Sequence, residues 1–232
     1  MDDPEDDAIG TIVSRLRHQL GNPINAVGCT LRLLASNLER FDQEQLEQYL
    51  GRALDELTHV QRLLDGLKSL GKNEVLTLDS IDVSTFVGRL ERLVRADVPA
   101  DGFTFTAEVT PEDLSCRADP MALQRALREV ITNAFEACEE QPEATVSLEV
   151  EASDEGVLFR LTDTGGGLTN AALEQLFQPL WSSKRGHVGL GLFEAHRLVE
   201  AMGGTIDVRS DDGLTTVVDI VLPRESDGHS RS

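Results

Sequence analysis

The sequence predicts an α plus α/β chain, a long two-helix hairpin followed by a mixed α/β domain, and three observations carry that expectation. Apolar residues recur at helical spacing through roughly the first 70 positions. Period-two alternation takes over in the later part, as in Val146-Ser147-Leu148-Glu149-Val150. Glycine clusters then punctuate the joins between strands and helices.

The first stripe runs Ile9, Val13, Leu16, Leu20, Ile24, Val27, Leu31, Leu34 and Leu38. After a polar break at Arg40-Phe41-Asp42, a second runs Leu46, Leu50, Ala53, Leu57, Val60, Leu64 and Leu67. Two helices of about 30 residues cannot bury that much leucine against each other, so a homodimeric four-helix bundle is expected. A hairpin packed on the rest of its own chain is the alternative. The pattern changes at Gly71-Lys72-Asn73, which divides a hairpin over 1–72 from a domain over 73–224.

Within that domain the sequence predicts strand 75–78, helix 82–96, strand 103–109, strand 115–118 and helix 119–139. Strands 143–152 and 157–163, helix 189–202, and strands 204–210 and 214–222 follow, the last two joined by a turn at Gly213. An open mixed sheet with helices over one face is the economical arrangement. Residues 225–232 are polar and read as a loose tail.

With 232 residues and 40 % hydrophobic content the chain can bury a core, so disorder throughout is excluded. The 21 basic against 41 acidic residues give a net charge of -20, which would repel a phosphate backbone or an anionic bilayer. Neither nucleic acid nor a membrane surface is an expected partner. Cys29, Cys116 and Cys138 are scattered without a C-x-x-C pair, so neither a zinc site nor a disulfide scaffold is framed. No apolar run approaches the roughly 20 residues that span a bilayer, and the acidic N-terminus is the opposite of a signal peptide. A soluble, cytoplasmic chain is expected.

Five short segments carry the chemistry. In His18-Gln19-Leu20-Gly21-Asn22-Pro23, His18 lies two residues from both Leu16 and Leu20, about 200° around the helix, and so faces solvent. Asn22 shares that face one turn on, and Pro23 withholds an N–H from the Gln19 carbonyl, which predicts a local kink. Alone, this is also what an ordinary surface histidine beside a kink looks like. Glu129 and Asn133 are i,i+4 on one helix, and a neutral Asn oxygen suits a Mg²⁺ that takes its charge from phosphates. Solvated polar residues on an amphipathic helix explain that pair equally well.

In Leu161-Thr162-Asp163-Thr164-Gly165-Gly166-Gly167 an apolar strand ends in an acid and three glycines. A carboxylate there can accept from an exocyclic amine such as adenine's, with glycines admitting a flat ring; a plain glycine turn is the competing account. Lys184-Arg185-Gly186-His187-Val188-Gly189-Leu190-Gly191 opens a helix, where backbone amides attract phosphate, unless it is simply a flexible loop. Between these, Leu176-Phe177-Gln178-Pro179-Leu180-Trp181 can anchor a mobile lid through Phe177, or be ordinary core.

Taken in order, the five segments resemble those of the transmitter core of bacterial two-component sensor histidine kinases, over about residues 9–222. HQLGNPINAV resembles the family's H box, EVITNAFEA its N box, DTGGG its first glycine box, LFQPLWSSK its F box and GHVGLGL its second glycine box. The resemblance implies a dimerisation and phosphotransfer bundle joined to a Bergerat-type ATP-binding α/β sandwich, the fold shared with gyrase, MutL and heat-shock-chaperone ATPases. It implies ATP and Mg²⁺ as cofactors, His18 as phosphoacceptor, Asn133 as metal ligand and Asp163 as adenine reader. Gly165, Gly167, Gly189 and Gly191 would let backbone and lid close on the nucleotide. The implied reaction moves the γ-phosphoryl of ATP to His18 and then to an aspartate of a response-regulator receiver domain. An imidazole suits this because it is substantially neutral near pH 7. Reversed, the bundle would be a receiver phosphatase, with Asn22 orienting water.

Four residues depart from the family pattern. Gln19 stands where an acid usually follows the histidine; its amide oxygen can accept the ring N–H but is no base near neutral pH. Glu129 replaces a second Asn and matches the water-activating glutamate of gyrase-like ATPases. Glu136 replaces a phosphate-contacting Lys, leaving Lys184 and Arg185 as the nearest cations, and His187 replaces a glycine. These departures motivate a second reading, a dimeric adaptor or phosphotransfer protein with a degenerate nucleotide domain, and a third, an ATPase using Glu129. A serine kinase of the anti-sigma-factor type would not need the hairpin or His18. The phosphoacceptor helix begins almost at Met1, so input is expected from a separate sensory partner, from a segment outside this sequence, or not at all.

Overall fold

A computed structural model of the chain describes residues 4–70, 75–97, 104–139, 141, 144–184, 187–211 and 214–224. The positions expected to hold the domain boundary at 71–73, the Gly213 turn, Arg185 and the tail at 225–232 lie outside the described residues. Two compact units make up the fold. The first comprises residues 1–72 with 178–190, and the second 73–177 with 191–232.

In the first unit, helix α1 (Pro4–Asn37) and helix α2 (Gln43–Leu70) form the hairpin. The polar break is a tight turn in which the Arg40 N–H donates to the Asn37 carbonyl at 2.8 Å. Asp42 then starts α2 by a reciprocal capping arrangement. The Gln45 N–H donates to Asp42 Oδ1 at 2.8 Å, and the Asp42 N–H donates to Gln45 Oε1 at 3.2 Å. Helix α1 runs continuously past Pro23, which is buried.

Leu34, Ala53 and Leu63 are buried in this unit, yet Val13, Ile24, Leu31, Leu38, Leu50, Leu57 and Leu64 stay exposed on a single chain. Leu63 lies off the predicted stripe and is fully buried, because residues 178–190 cover it with Leu180 and Leu190. A pattern read within one helix cannot anticipate a cover supplied by a segment more than a hundred residues away.

The second unit begins with strand β1 (Asp79–Asp82) and helix α3 (Val83–Asp97), followed by strands β2 (Thr104–Thr110) and β3 (Ser115–Ala118) and helix α4 (Pro120–Cys138). Strands β4 (Thr145–Ala152) and β5 (Val157–Asp163), helices α5 (Asn170–Leu173) and α6 (Gly191–Ala201), and strands β6 (Thr205–Asp211) and β7 (Thr215–Leu222) complete it. Five strands form one mixed sheet in the order β2-β4-β5-β7-β6, with β2 parallel to β4 and every other pair antiparallel. The buried sides of β4 (Val146, Leu148, Val150) and β5 (Val157, Phe159, Leu161) share one core with Leu123, Leu127 and Ile131 of α4 and Leu198 and Val199 of α6.

One strand moves relative to expectation. Residues 75–78 are not a strand; the pairing falls on Asp79–Asp82, antiparallel to β3, while Leu76 and Leu78 merely pack on the core. The short helix α5, capped by Thr169, escaped the sequence reading because four residues carry no periodicity.

Helix α4 starts where it does because Asp119 caps it. Its Oδ1 accepts from the Met121 N–H at 2.9 Å and the Ala122 N–H at 3.0 Å, its Oδ2 accepts from the Thr77 N–H at 3.0 Å, and Pro120 occupies the first turn without needing a partner. Burial pulls its carboxyl upward, but these three amides and the charge of Arg125 outweigh it and hold it below the ordinary range. Asp119→Ala is therefore expected to lower stability by about 1–2 kcal/mol in urea unfolding at neutral pH. Asp119→Asn, which keeps an acceptor, should retain most of it.

Candidate functional site

His18 and Asn22 are both exposed on α1, as the spacing predicted. Gln19 does not play the expected part. Its Nε2 donates to the Leu180 carbonyl at 3.1 Å, and its Oε1 is buried with no hydrogen-bond partner, so it accepts nothing from the His18 ring. Adjacent residues on a helix point about 100° apart, and the amide follows its own direction.

In the second unit, Glu129 and Asn133 lie one turn apart on α4, and Glu129 reaches the start of α6. A Cβ on Gly191 would meet a Glu129 carboxylate oxygen, so the end of that side chain lies against the α6 N-terminus. Arg125, one turn before Glu129, pairs with Glu194 in the first turn of α6. Burial, then the charge of Glu194, push the Glu129 carboxyl above the ordinary glutamate range, against the smaller pull of Arg128 and Arg125.

The sign of the consequence is definite. Below the ordinary glutamate value both folded and unfolded chains hold the proton, and Glu129 is neutral to stability. As pH rises, the unfolded chain ionises first, so stability is lost up through the folded-state value. Glu129→Gln removes that loss. Its Tm should exceed that of the parent by about 2 °C at pH 8, with the difference vanishing near pH 4.

Asp163 ends β5 and is only 4 % exposed. Its Oδ1 accepts from the Gly165 N–H at 2.9 Å, which fixes the carboxylate at the mouth of the glycine turn. The neighbouring strand places Thr216, also buried, directly across from it. The sequence reading missed Thr216, since a threonine inside a valine-rich strand gives no signal of its own. Gly165 backs onto Ala137 of α4, and Gly167 adopts φ +70° with the Asp211 carbonyl where a side chain would stand. The glycines expected to face a nucleotide are thus also required by the protein's own backbone contacts.

The Phe177 ring lies 4.8 Å from the His196 ring of α6, a contact that a lid anchor and ordinary core packing share. Residues 178–190 belong to the hairpin unit, and the chain returns to the second unit at Gly191. Lys184 and Gly189 go with the hairpin, so the structure does not gather them into one unit with Asn133 and Asp163. The Lys184 N–H donates to Ser182 Oγ at 3.1 Å.

No cluster of three or more His, Cys, Asp or Glu side chains suited to a metal ion occurs among the described residues. A Mg²⁺ ion commonly keeps several waters and takes its charge from phosphates. The Asn133 amide oxygen, with Glu129 one turn away beside the α6 N-terminus, fits a Mg²⁺ of that kind. Burial pushes the Cys116 thiol up to about 12, which leaves it without a thiolate. Among the described residues no helix is long and apolar enough to cross a membrane.

This hairpin and this sheet define a class, a helical phosphoacceptor-type unit followed by an ATPase-type α/β unit. The chain matches the family described as His Kinase A (phospho-acceptor) domain over residues 8–75, and the Histidine kinase-, DNA gyrase B-, and HSP90-like ATPase family over 118–226. With the two domains in this order, the chain has the architecture of a two-component histidine kinase transmitter core. It is 28 % identical to sensor histidine kinase ZraS of Escherichia coli K12 over 93 % of its own length and 46 % of that protein. It is 27 % identical to sporulation kinase B of Bacillus subtilis, over 93 % of its length and 50 % of that protein. The chain thus spans about half the length of these relatives.

Among solved structures, histidine kinase ThkA in complex with the response regulator protein TrrA superposes with TM-score 0.78 at 19 % identity, covering 95 % of this chain and 63 % of that one. ShkA in complex with AMPPNP gives 0.64 at 22 %, covering 93 % and 46 %. At these identities the likeness is one of fold.

Proposed function

We propose that this chain is an ATP-dependent protein-histidine kinase that phosphorylates His18 and passes the phosphoryl group to an aspartate of a response-regulator receiver domain. The observation that carries the reading is an exposed histidine on the phosphoacceptor-type hairpin, joined in one chain to an ATPase-type sheet whose buried Asp163 ends a strand at a glycine turn. Residues 1–72 serve as the dimerisation and phosphotransfer element and 73–224 as the nucleotide-binding element. The exposed Val13, Ile24, Leu31, Leu50 and Leu57 support a homodimer, because a second hairpin would remove them from water.

In this reading Asp163 accepts from the adenine amine, with Thr216 beside it. Asn133 would hold Mg²⁺, with Glu129 one turn away on α4, and Lys184 and Arg185 would meet the phosphates. When bound, the metal neutralises phosphate charge that so acidic a chain cannot. The unprotonated imidazole nitrogen of His18 attacks the γ-phosphorus; an N–P bond forms, the P–O bond to the β-phosphate breaks, and ADP leaves. The remaining ring proton passes to water, since Gln19 is no base. Asn22, one turn from His18, would orient water in a separate phosphatase step, in which water attacks the receiver's phosphoaspartate, the acyl-phosphate P–O bond breaks and inorganic phosphate leaves. A cytoplasmic setting, with a separate sensory partner supplying input, suits such a core.

The test is incubation of the full chain with γ-labelled ATP and Mg²⁺. Acid-labile, base-stable label should accumulate on the parent and be absent from Asn133→Ala. Acid-stable label on the parent would overturn the reading.

A further inference from the structure

Gln19 makes a contact that an acid at its position could not make. The Leu180 carbonyl needs a donor, and Gln19 Nε2 supplies one at 3.1 Å while Oε1 is left buried and unpartnered. A carboxylate would set acceptor against acceptor in a half-buried position. One turn earlier on the same face, Arg15 donates to Gln178 Oε1 at 2.9 Å and to the Pro179 carbonyl at 3.4 Å.

Beneath these polar contacts the segment has an apolar footing. Leu180 and Leu190 close over Leu63, with Leu16, Leu20 and Leu67 around them, and Gly66 leaves the space that Leu190 fills. The segment is also folded on itself. The Leu180 N–H donates to the Gly189 carbonyl at 2.9 Å, and Gly189, at φ +70°, passes the Trp181 backbone where any Cβ would collide. Its two ends are therefore together, and both leucines enter the same cluster.

We propose that Gln19 is a positioning residue whose amide, assisted by Arg15, latches the segment that carries Leu180 and Leu190 onto the helix that bears His18. Its part is to donate to Leu180 rather than to orient the imidazole. Three buried leucines are a small footing, so the seated segment belongs to the low-stability end of the fold, where one hydrogen bond sets its population. Because Lys184 and Gly189 travel with the segment, a nucleotide that draws them to its phosphates must compete with the latch. This last consequence rests on the kinase reading; the latch itself does not.

Hydrogen–deuterium exchange of the full chain tests it. Gln19→Met keeps the volume and loses the donor, and Gln19→Glu loses the donor and adds charge. In both, peptides covering 178–190 should exchange about five- to tenfold faster, with peptides of the five-stranded sheet unchanged. Arg15→Ala, a surface change, should give about two- to threefold. Unchanged exchange over 178–190 in Gln19→Met and Arg15→Ala would overturn the proposal, since a packing role alone survives the Met substitution. Labelling with γ-labelled ATP separates the two readings. Neither Gln nor Met is a base, so faster labelling of Gln19→Met reports the latch, whereas faster exchange with no label in any variant upholds the latch and defeats the kinase reading.

Discussion

His18→Ala is expected to abolish acid-labile phosphorylation while leaving nucleotide binding within about twofold of the parent. The reason lies in the division of the fold. His18 is exposed on α1, in a unit that contains neither Asp163 nor Asn133. Removing its imidazole deletes the nucleophile and disturbs no buried contact, so the helix should keep its stability to within about 0.5 kcal/mol. The loss should be all-or-none, because alanine offers no atom that can form the N–P bond. Label and nucleotide affinity, measured on the same preparation, check both halves. Loss of both together would mean that the substitution had damaged the fold.

Asp163→Asn carries the second large effect. The carboxylate is buried at the end of β5 and already accepts from the Gly165 N–H, so its direction is fixed before any ligand arrives. A preset charged acceptor facing an exocyclic amine is worth about 1.5–3 kcal/mol, and asparagine either loses that acceptor or turns an NH₂ toward the amine. Mg-ATP affinity should fall by about 10- to 100-fold. Calorimetric titration with a non-hydrolysable ATP analogue measures it. Guanine nucleotides, which present a carbonyl where adenine has the amine, should bind the parent far more weakly than adenine nucleotides and lose little further in the variant.

Most of the α/β unit was legible because its signals are local. Val146 to Val150 alternates, and the observed β3 and β5 match their expected bounds. Exposure of His18 followed from spacing alone. What could not be read was everything set by distant partners. Leu63 is buried by a segment more than a hundred residues away, and the same segment takes the amide of Gln19 that the family pattern had aimed at the His18 ring. Thr216 gained significance only through its register opposite Asp163. In the expected strand 75–78 only Leu76 and Leu78 pack on the core, Val75 is exposed, and the pairing belongs to the more polar Asp79–Asp82.

The central claim is that one histidine of the five in this sequence receives the phosphoryl group. Tandem mass spectrometry of the full chain after incubation with Mg-ATP, under alkaline conditions that preserve phosphohistidine, reads this directly. The account predicts phosphate on His18, with none on His59, His187, His196 or His229. Bound ATP with His18 unmodified, or phosphate on another of the four, would contradict it; the first result would mark the chain as a nucleotide-binding adaptor.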